Sequence, residues 1–229
     1  MDVQVVERGA FSWVQVHLDP GEQFISEAGA MFRASTNIDI NVTTRSRGRG
    51  GILASVGRML AGESFFLSTY SSNDSQPGDV GLAPTHQGQI QKIECDGSTD
   101  WLCAGGSYLG SSESLALDTN FQGFRGMLSG ESLSFISVSG AGVLLVNAFG
   151  KISGIDVEGG LAVDTGHVVA FESSLDYSIG KAGGSFLQSF LAGEGLVMNF
   201  RGHGRIYVQS HNPDEFGREI GPLLPPRRR

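Results

Sequence analysis

Short apolar runs recur along the whole chain, each closed by a glycine or an acidic turn. Val14-Gln15-Val16-His17-Leu18 alternates with the period of a half-buried strand and stops at Asp19-Pro20-Gly21-Glu22. Ile90-Gln91-Lys92-Ile93-Glu94 and Ile152-Ser153-Gly154-Ile155-Asp156 hold the same place, ahead of turn signals at Asp96-Gly97 and Glu158-Gly159-Gly160. A second run with a small-residue centre follows in each case, starting at Phe24, Trp101 and Val168. Further β-prone stretches begin at Phe65, Leu133 and Leu196.

A tetrapeptide gives these runs a period. Leu60-Ala61-Gly62-Glu63, Leu128-Ser129-Gly130-Glu131 and Leu191-Ala192-Gly193-Glu194 place their glycines 68 and 63 residues apart. Three copies of one unit are the simplest account, with boundaries near 10–88, 89–150 and 151–212. Units of this length would each be marginal alone, so a shared core is expected. The pattern therefore predicts an all-β single domain over 1–212: three pseudo-symmetric β-rich repeats in one compact pseudo-trimeric body with short helical insertions. The tail 213–229 ends in Pro225-Pro226-Arg227-Arg228-Arg229 and is expected to be mobile.

The helical insertions lie just before the tetrapeptides. Ile52, Leu53, Val56, Met59 and Leu60 share one face at helical spacing, as do Phe186, Leu187, Phe190 and Leu191. Segments of two or three turns are unstable in water without something to pack against. Burying each such side chain is worth roughly 1.5–3 kcal/mol, so a core, a partner or a membrane is expected to cover them. Arg45, Arg47 and Arg49 precede the first face, an order that suits an anionic surface, with arginines 227–229 as a second attachment. The other outcome is that the apolar faces fill the core or a subunit interface.

Composition narrows the function classes. Gly 34 among 229 residues, without a triplet period, fits many tight turns in an all-β body. A net charge of −8 makes nucleic acid an unlikely partner. No apolar run is long enough to span a bilayer as a helix, and the start lacks the features of a secretory or transit segment, so a cytoplasmic address is expected. Cys95 and Cys103 flank Asp96-Gly97-Ser98-Thr99-Asp100 and could face each other across a hairpin; two free thiols are the default in a reducing compartment.

No catalytic constellation stands out. His17, His86, His167, His203 and His211 form no His-Xaa-His or His-Glu-Xaa-Xaa-His pair, and no Cys-Xaa-Xaa-Cys occurs. There is no Gly-Xaa-Ser-Xaa-Gly elbow, and Gly48-Arg49-Gly50-Gly51 lacks the lysine and threonine of a phosphate loop. Under threefold symmetry Glu63, Glu131 and Glu194 would be equivalent and could converge on a hard cation, but turn carboxylates facing water are the commoner outcome. Neither a metal nor any other cofactor is expected.

The Leu-(Ala/Ser)-Gly-Glu turns, the motif from Thr165-Gly166-His167 to Leu175-Asp176-Tyr177, and Phe200-Arg201-Gly202-His203-Gly204-Arg205-Ile206-Tyr207-Val208-Gln209 together resemble the family of the altered inheritance of mitochondria protein 24 over nearly the whole chain. The resemblance implies a fold like that of the tryptophan RNA-binding attenuation protein, with three repeats in one chain. Its mitochondrial members are associated with organisation of the inner membrane. Tryptophan or RNA binding does not transfer with a fold, because function belongs to sites. The expectation is a non-enzymatic scaffold or assembly module, a homo-oligomer with a protein or membrane-surface partner. A small-ligand-binding protein, or an enzyme whose groups come from distant loops, is the alternative.

Overall fold

The computed structural model describes residues 1–8, 11–44, 66–73, 75–118, 134–181 and 196–225. Seventeen strands are described: β1 Asp2–Arg8, β2 Phe11–Leu18, β3 Gln23–Glu27, β4 Met31–Ala34, β5 Ile38–Thr44, β6 Phe66–Ser72, β7 Gly78–Leu82, β8 Ile90–Asp96, β9 Trp101–Ala104, β10 Tyr108–Ser112, β11 Ala116–Asp118, β12 Phe135–Ser139, β13 Ala141–Asn147, β14 Ile152–Asp164, β15 Val168–Glu172, β16 Asp176–Lys181 and β17 Leu196–Gln209. One helix, α1, spans Pro213–Ile220. The class is all-β. All pairings between these strands are antiparallel, in three sheets: β1-β2-β7-β4, then β5-β6-β3-β10-β13-β8, then β11-β12-β9-β15-β17-β14 with β16 also paired to β17.

Alternation sets the faces, as in β2, where Val14, Val16 and Leu18 are buried while Trp13, Gln15 and His17 turn the other way. The turn after β2, which carries the chain from the first sheet to the second, is closed by the Glu22 N–H donating to the Asp19 carbonyl at 3.0 Å, with Gly21 at φ +87°. After β8 the Asp96 carboxylate caps its own turn, accepting from Ser98 N–H at 2.8 Å, and Gly97 takes φ +84°. β14 has no such turn. It runs on for 13 residues beside the 14-residue β17, and the pair Gly159↔Gly202, at φ +102° and +106°, marks where two strand halves have fused.

Three apolar clusters hold the sheets together. Val14, Val16, Leu18, Val80 and Leu82 of the first sheet gather with Phe24, Tyr70, Leu109 and Leu145 of the second. The opposite face of the second sheet, with Ile25, Leu67, Ile93 and Leu144, meets Trp101, Cys103, Ile136, Val169 and Tyr207 of the third. Leu102, Phe135, Phe171 and Ile206 then gather with Met198 and Phe200, where the fused strands carry the third sheet over into a further layer. Buried hydroxyls find one another, Ser26 Oγ lying 3.0 Å from Tyr70 Oη and Tyr108 Oη 2.8 Å from Ser111 Oγ, whereas the buried Asn147 Oδ1 has no partner among the described residues.

One irregularity occurs three times. β4 pairs β7 as Met31↔Leu82 and then Arg33↔Gly81. β10 pairs β13 as Tyr108↔Val146 and then Gly110↔Leu145, and β15 pairs β17 as Val168↔Val208 and then Ala170↔Tyr207. Each skips one residue, Phe32, Leu109 or Val169, in a β-bulge. By this register the run starting at Val168 corresponds to β4 and β10. The counterpart of the runs at Phe24 and Trp101 is instead Leu161–Asp164 within β14, since Leu161 pairs Phe200 as Phe24 pairs Tyr70.

The helix was not expected. Pro213 occupies its first turn, where its missing N–H costs nothing, and Asn212 Oδ1 accepts from Asp214 N–H at 3.0 Å. Cys95 and Cys103 are free thiols on β8 and β9, in different sheets, and do not oppose each other on one hairpin. The expected helical segments at 52–60 and 186–191 lie outside the described residues.

Candidate functional site

The alternation that buries Val14 and Val16 turns Trp13, Gln15 and His17 onto the outer face of the first sheet. There the β4 bulge adds Phe32 and Arg33, and β7 adds Asp79. Trp13 and Phe32 pack edge to face at 5.5 Å between centroids, and the Arg33 guanidinium lies 5.3 Å from the Trp13 ring. Arg33 also donates to Gln15 Oε1 at 3.0 Å, and Gln15 Nε2 donates to Asp79 Oδ1 at 3.3 Å. His17 Nδ1 sits 3.0 Å from that same oxygen, and its hydrogen bond, with help from Gln15 and Arg33, holds the Asp79 carboxyl below the usual carboxylate range. A cleft of about 180 Å³ beside it is lined by Asp2, Gln4, Gln15, His17 and Asp79.

The carboxylate, imidazole, amide and guanidinium of this face engage one another, and the Trp13 and Phe32 rings lie beside them. Phe32 is 54% exposed although large apolar side chains are usually covered in such packed sheets.

A second surface lies at the opposite end of the sheet order. A groove of about 560 Å³ is lined by Gly159–Ala162 of β14, Ser178 of β16 and Asn199–Arg201 of β17. Its floor is polar, while the reverse side of the same three strands carries Met198 and Phe200 into the core.

Ile52, Leu53, Val56, Met59 and Leu60, the second face of Phe186, Leu187, Phe190 and Leu191, and Arg45, Arg47 and Arg49 all lie outside the described residues, as do Glu63, Glu131 and Glu194. The histidines are dispersed. His86 and His211 both contact the Phe149 ring, at 5.6 and 5.2 Å, and His167 Nδ1 is 2.7 Å from the Gln209 carbonyl oxygen. Among the described residues no three His, Cys, Asp or Glu side chains converge in a way that could hold a metal ion. The Trp13–Phe32 face was missed because a tryptophan out of phase with its strand looks, in sequence, like any other apolar position.

Comparison with known proteins places the molecule. The family model described as Mitochondrial biogenesis AIM24 matches residues 3–211. The chain belongs to the AIM24 family. An AIM24 relative from Streptococcus pyogenes serotype M6, an uncharacterized protein, is 33% identical over 221 residues, covering 94% of this chain and 88% of that one. The X-ray crystal structure of a Streptococcus pyogenes protein is similar with a TM-score of 0.80 and 32% identity, over 97% of this chain and 99% of that chain. The AIM24 match thus spans all three sheets, and both surfaces just described belong to the family domain. Among the described residues no helix of this AIM24 chain is long and apolar enough to cross a membrane.

Proposed function

We propose that this AIM24-family chain is a non-enzymatic scaffold or assembly module, built from three pseudo-symmetric β-repeats with the arrangement of the tryptophan RNA-binding attenuation protein, and working in the cytoplasm at a membrane surface or protein complex. The observation that carries the reading is the thrice-used bulged pairing of β4, β10 and β15. A strand plan copied at this level of detail serves the mutual packing of repeats. β5 and β6, β11 and β12, and β16 and β17 are likewise paired, and each of these pairs is joined by one of the three long connections. Those connections carry the apolar faces of Ile52 to Leu60 and Phe186 to Leu191 together with Arg45, Arg47 and Arg49. The proposed role is to present them to a partner from a rigid β body.

Vesicle flotation tests this reading. The whole chain is expected to float with anionic but not neutral phospholipid vesicles at low salt, and to dissociate as salt rises, because attraction to anionic headgroups is screened over about 8 Å at physiological ionic strength. Exchanging Arg45, Arg47 and Arg49 for glutamine should abolish flotation. Failure to float under any condition would remove the membrane-surface part of the proposal.

A further inference from the structure

Strand pairing between successive repeats leaves two edges unmatched. Within the second sheet, β3 of the first repeat pairs β10 of the second as Phe24↔Ser112, Ile25↔Ser111 and Ser26↔Gly110. Within the third sheet, β9 of the second repeat pairs β15 of the third as Trp101↔Glu172, Leu102↔Phe171 and Cys103↔Ala170. The joint is therefore made twice, in one register, relative to the bulge. A third joint would take its donor strand from the third repeat and its acceptor from the first. Those strands are the Leu161–Val163 part of β14 and β4. Both are the last strand of their sheet, with no further strand paired beyond them among the described residues.

We propose that copies of this chain associate head to tail, with β4 of one copy pairing the Leu161–Val163 edge of the next in the register Ser35↔Leu161, Ala34↔Ala162 and Arg33↔Val163. The inference rests on the three-repeat reading above and adds the partner, a second copy, and the edge it uses. A heterologous contact of this kind propagates into a ring or an open filament.

Side chains outside the edges agree. Phe32 occupies the bulge position of the first repeat and is 54% exposed, while its counterparts Leu109 and Val169 are 0% exposed because each packs into the core of the preceding repeat. Among the described residues no strand stands beyond β4, so Phe32 and the Trp13 ring against it lack that cover. On β5, Ile40 and Val42 are 43% and 63% exposed. Their register counterparts, Leu117 and Tyr177 for Ile40 and Ile179 for Val42, pack against core clusters. At the other end, Ala162 and Val197 stand where Ile25 and Leu67, or Leu102 and Phe135, fill an internal joint. The groove beside them, lined by Gly160, Ala162, Ser178 and Asn199, keeps the polar positions that Asn41 and Thr69 hold in the first repeat. An unpaired edge flanked by exposed aromatic and aliphatic side chains is a template for strand addition.

Cross-linking of the full chain without lipid tests the register. Ala34→Cys and Ala162→Cys are made as separate single variants, and each is confirmed as folded by an unfolding midpoint near wild type. After mixing and mild oxidation, a covalent dimer of about twice 24.2 kDa is expected, at least tenfold over either variant alone. Adding Phe32→Glu to the Ala34→Cys partner should cut that yield severalfold. Dimer no more abundant in the mixture than in the single variants would overturn the head-to-tail joint. Because no membrane is present, that result would leave the flotation prediction standing by itself.

Discussion

Glu27 shows how a single side chain reports on its surroundings. It ends β3 facing Leu67, and burial raises its carboxyl above the ordinary carboxylate range. A carboxyl whose folded value is raised binds its proton more tightly in the native state. Stability is therefore lost as pH climbs from the ordinary carboxylate range through the raised value. Glu27→Gln is expected to raise the melting temperature modestly at pH 7 and to leave it unchanged near pH 4, measured by thermal denaturation at both values. Asp79 has the opposite sign: its lowered carboxyl favours folding above the ordinary range, and that contribution disappears as acid protonates it. Thiols give a second residue-level test. Burial pushes Cys95 up to about 11 and Cys103 higher still. At pH 8 an aromatic disulfide reagent should label Cys95 slowly and Cys103 only in denaturant. In the core, Phe171 touches Phe135, Tyr177 and Phe200 at 5.5, 5.3 and 5.0 Å. Phe171→Ala should cost about 3–5 kcal/mol in urea unfolding, the usual penalty for emptying such a site.

At the scale of elements, the segments around residues 88 and 150 are pinned to each other by backbone contact. Gly88 and Gly150 form a parallel bridge, Gly150 N–H donates to the Gln87 carbonyl at 2.9 Å, and the Gln89 side chain accepts from Ile152 N–H at 3.1 Å. A Cβ on Gly88 would lie 2.1 Å from the Ala148 carbonyl oxygen, so Gly88→Ala is expected to lower stability by at least the 1–3 kcal/mol typical of overpacking, readable as a fall in the denaturation midpoint. Strand identity was legible where alternation is strict, as in Val14 to Leu18. It was misassigned at Val168, because apolar runs of similar composition recur along the chain and the continuous β14 lacks the turn that separates such runs after β2 and β8. Fused β14 and β17 could be recognised only from their pairing. The helix at Pro213 was hidden because the prolines near the end of the tail drew the whole of 213–229 into one mobile segment, and the exposed Trp13–Phe32 face by the fact that burial is a property of neighbours.

For the whole molecule the central claim is an open-ended β body whose two ends are halves of one joint. Internal copies of that joint bury Leu109 and Val169, whereas the terminal copy leaves Phe32 in solvent. Family membership fits this view without supplying a role, since the relative from Streptococcus pyogenes serotype M6 is itself uncharacterized. Sedimentation velocity of the unmodified chain, over a hundredfold range of concentration at physiological salt, is the most direct test. The account predicts species heavier than 24.2 kDa that grow with concentration and recede in a Phe32→Glu variant of unchanged melting temperature. A single species of 24.2 kDa at every concentration would contradict it.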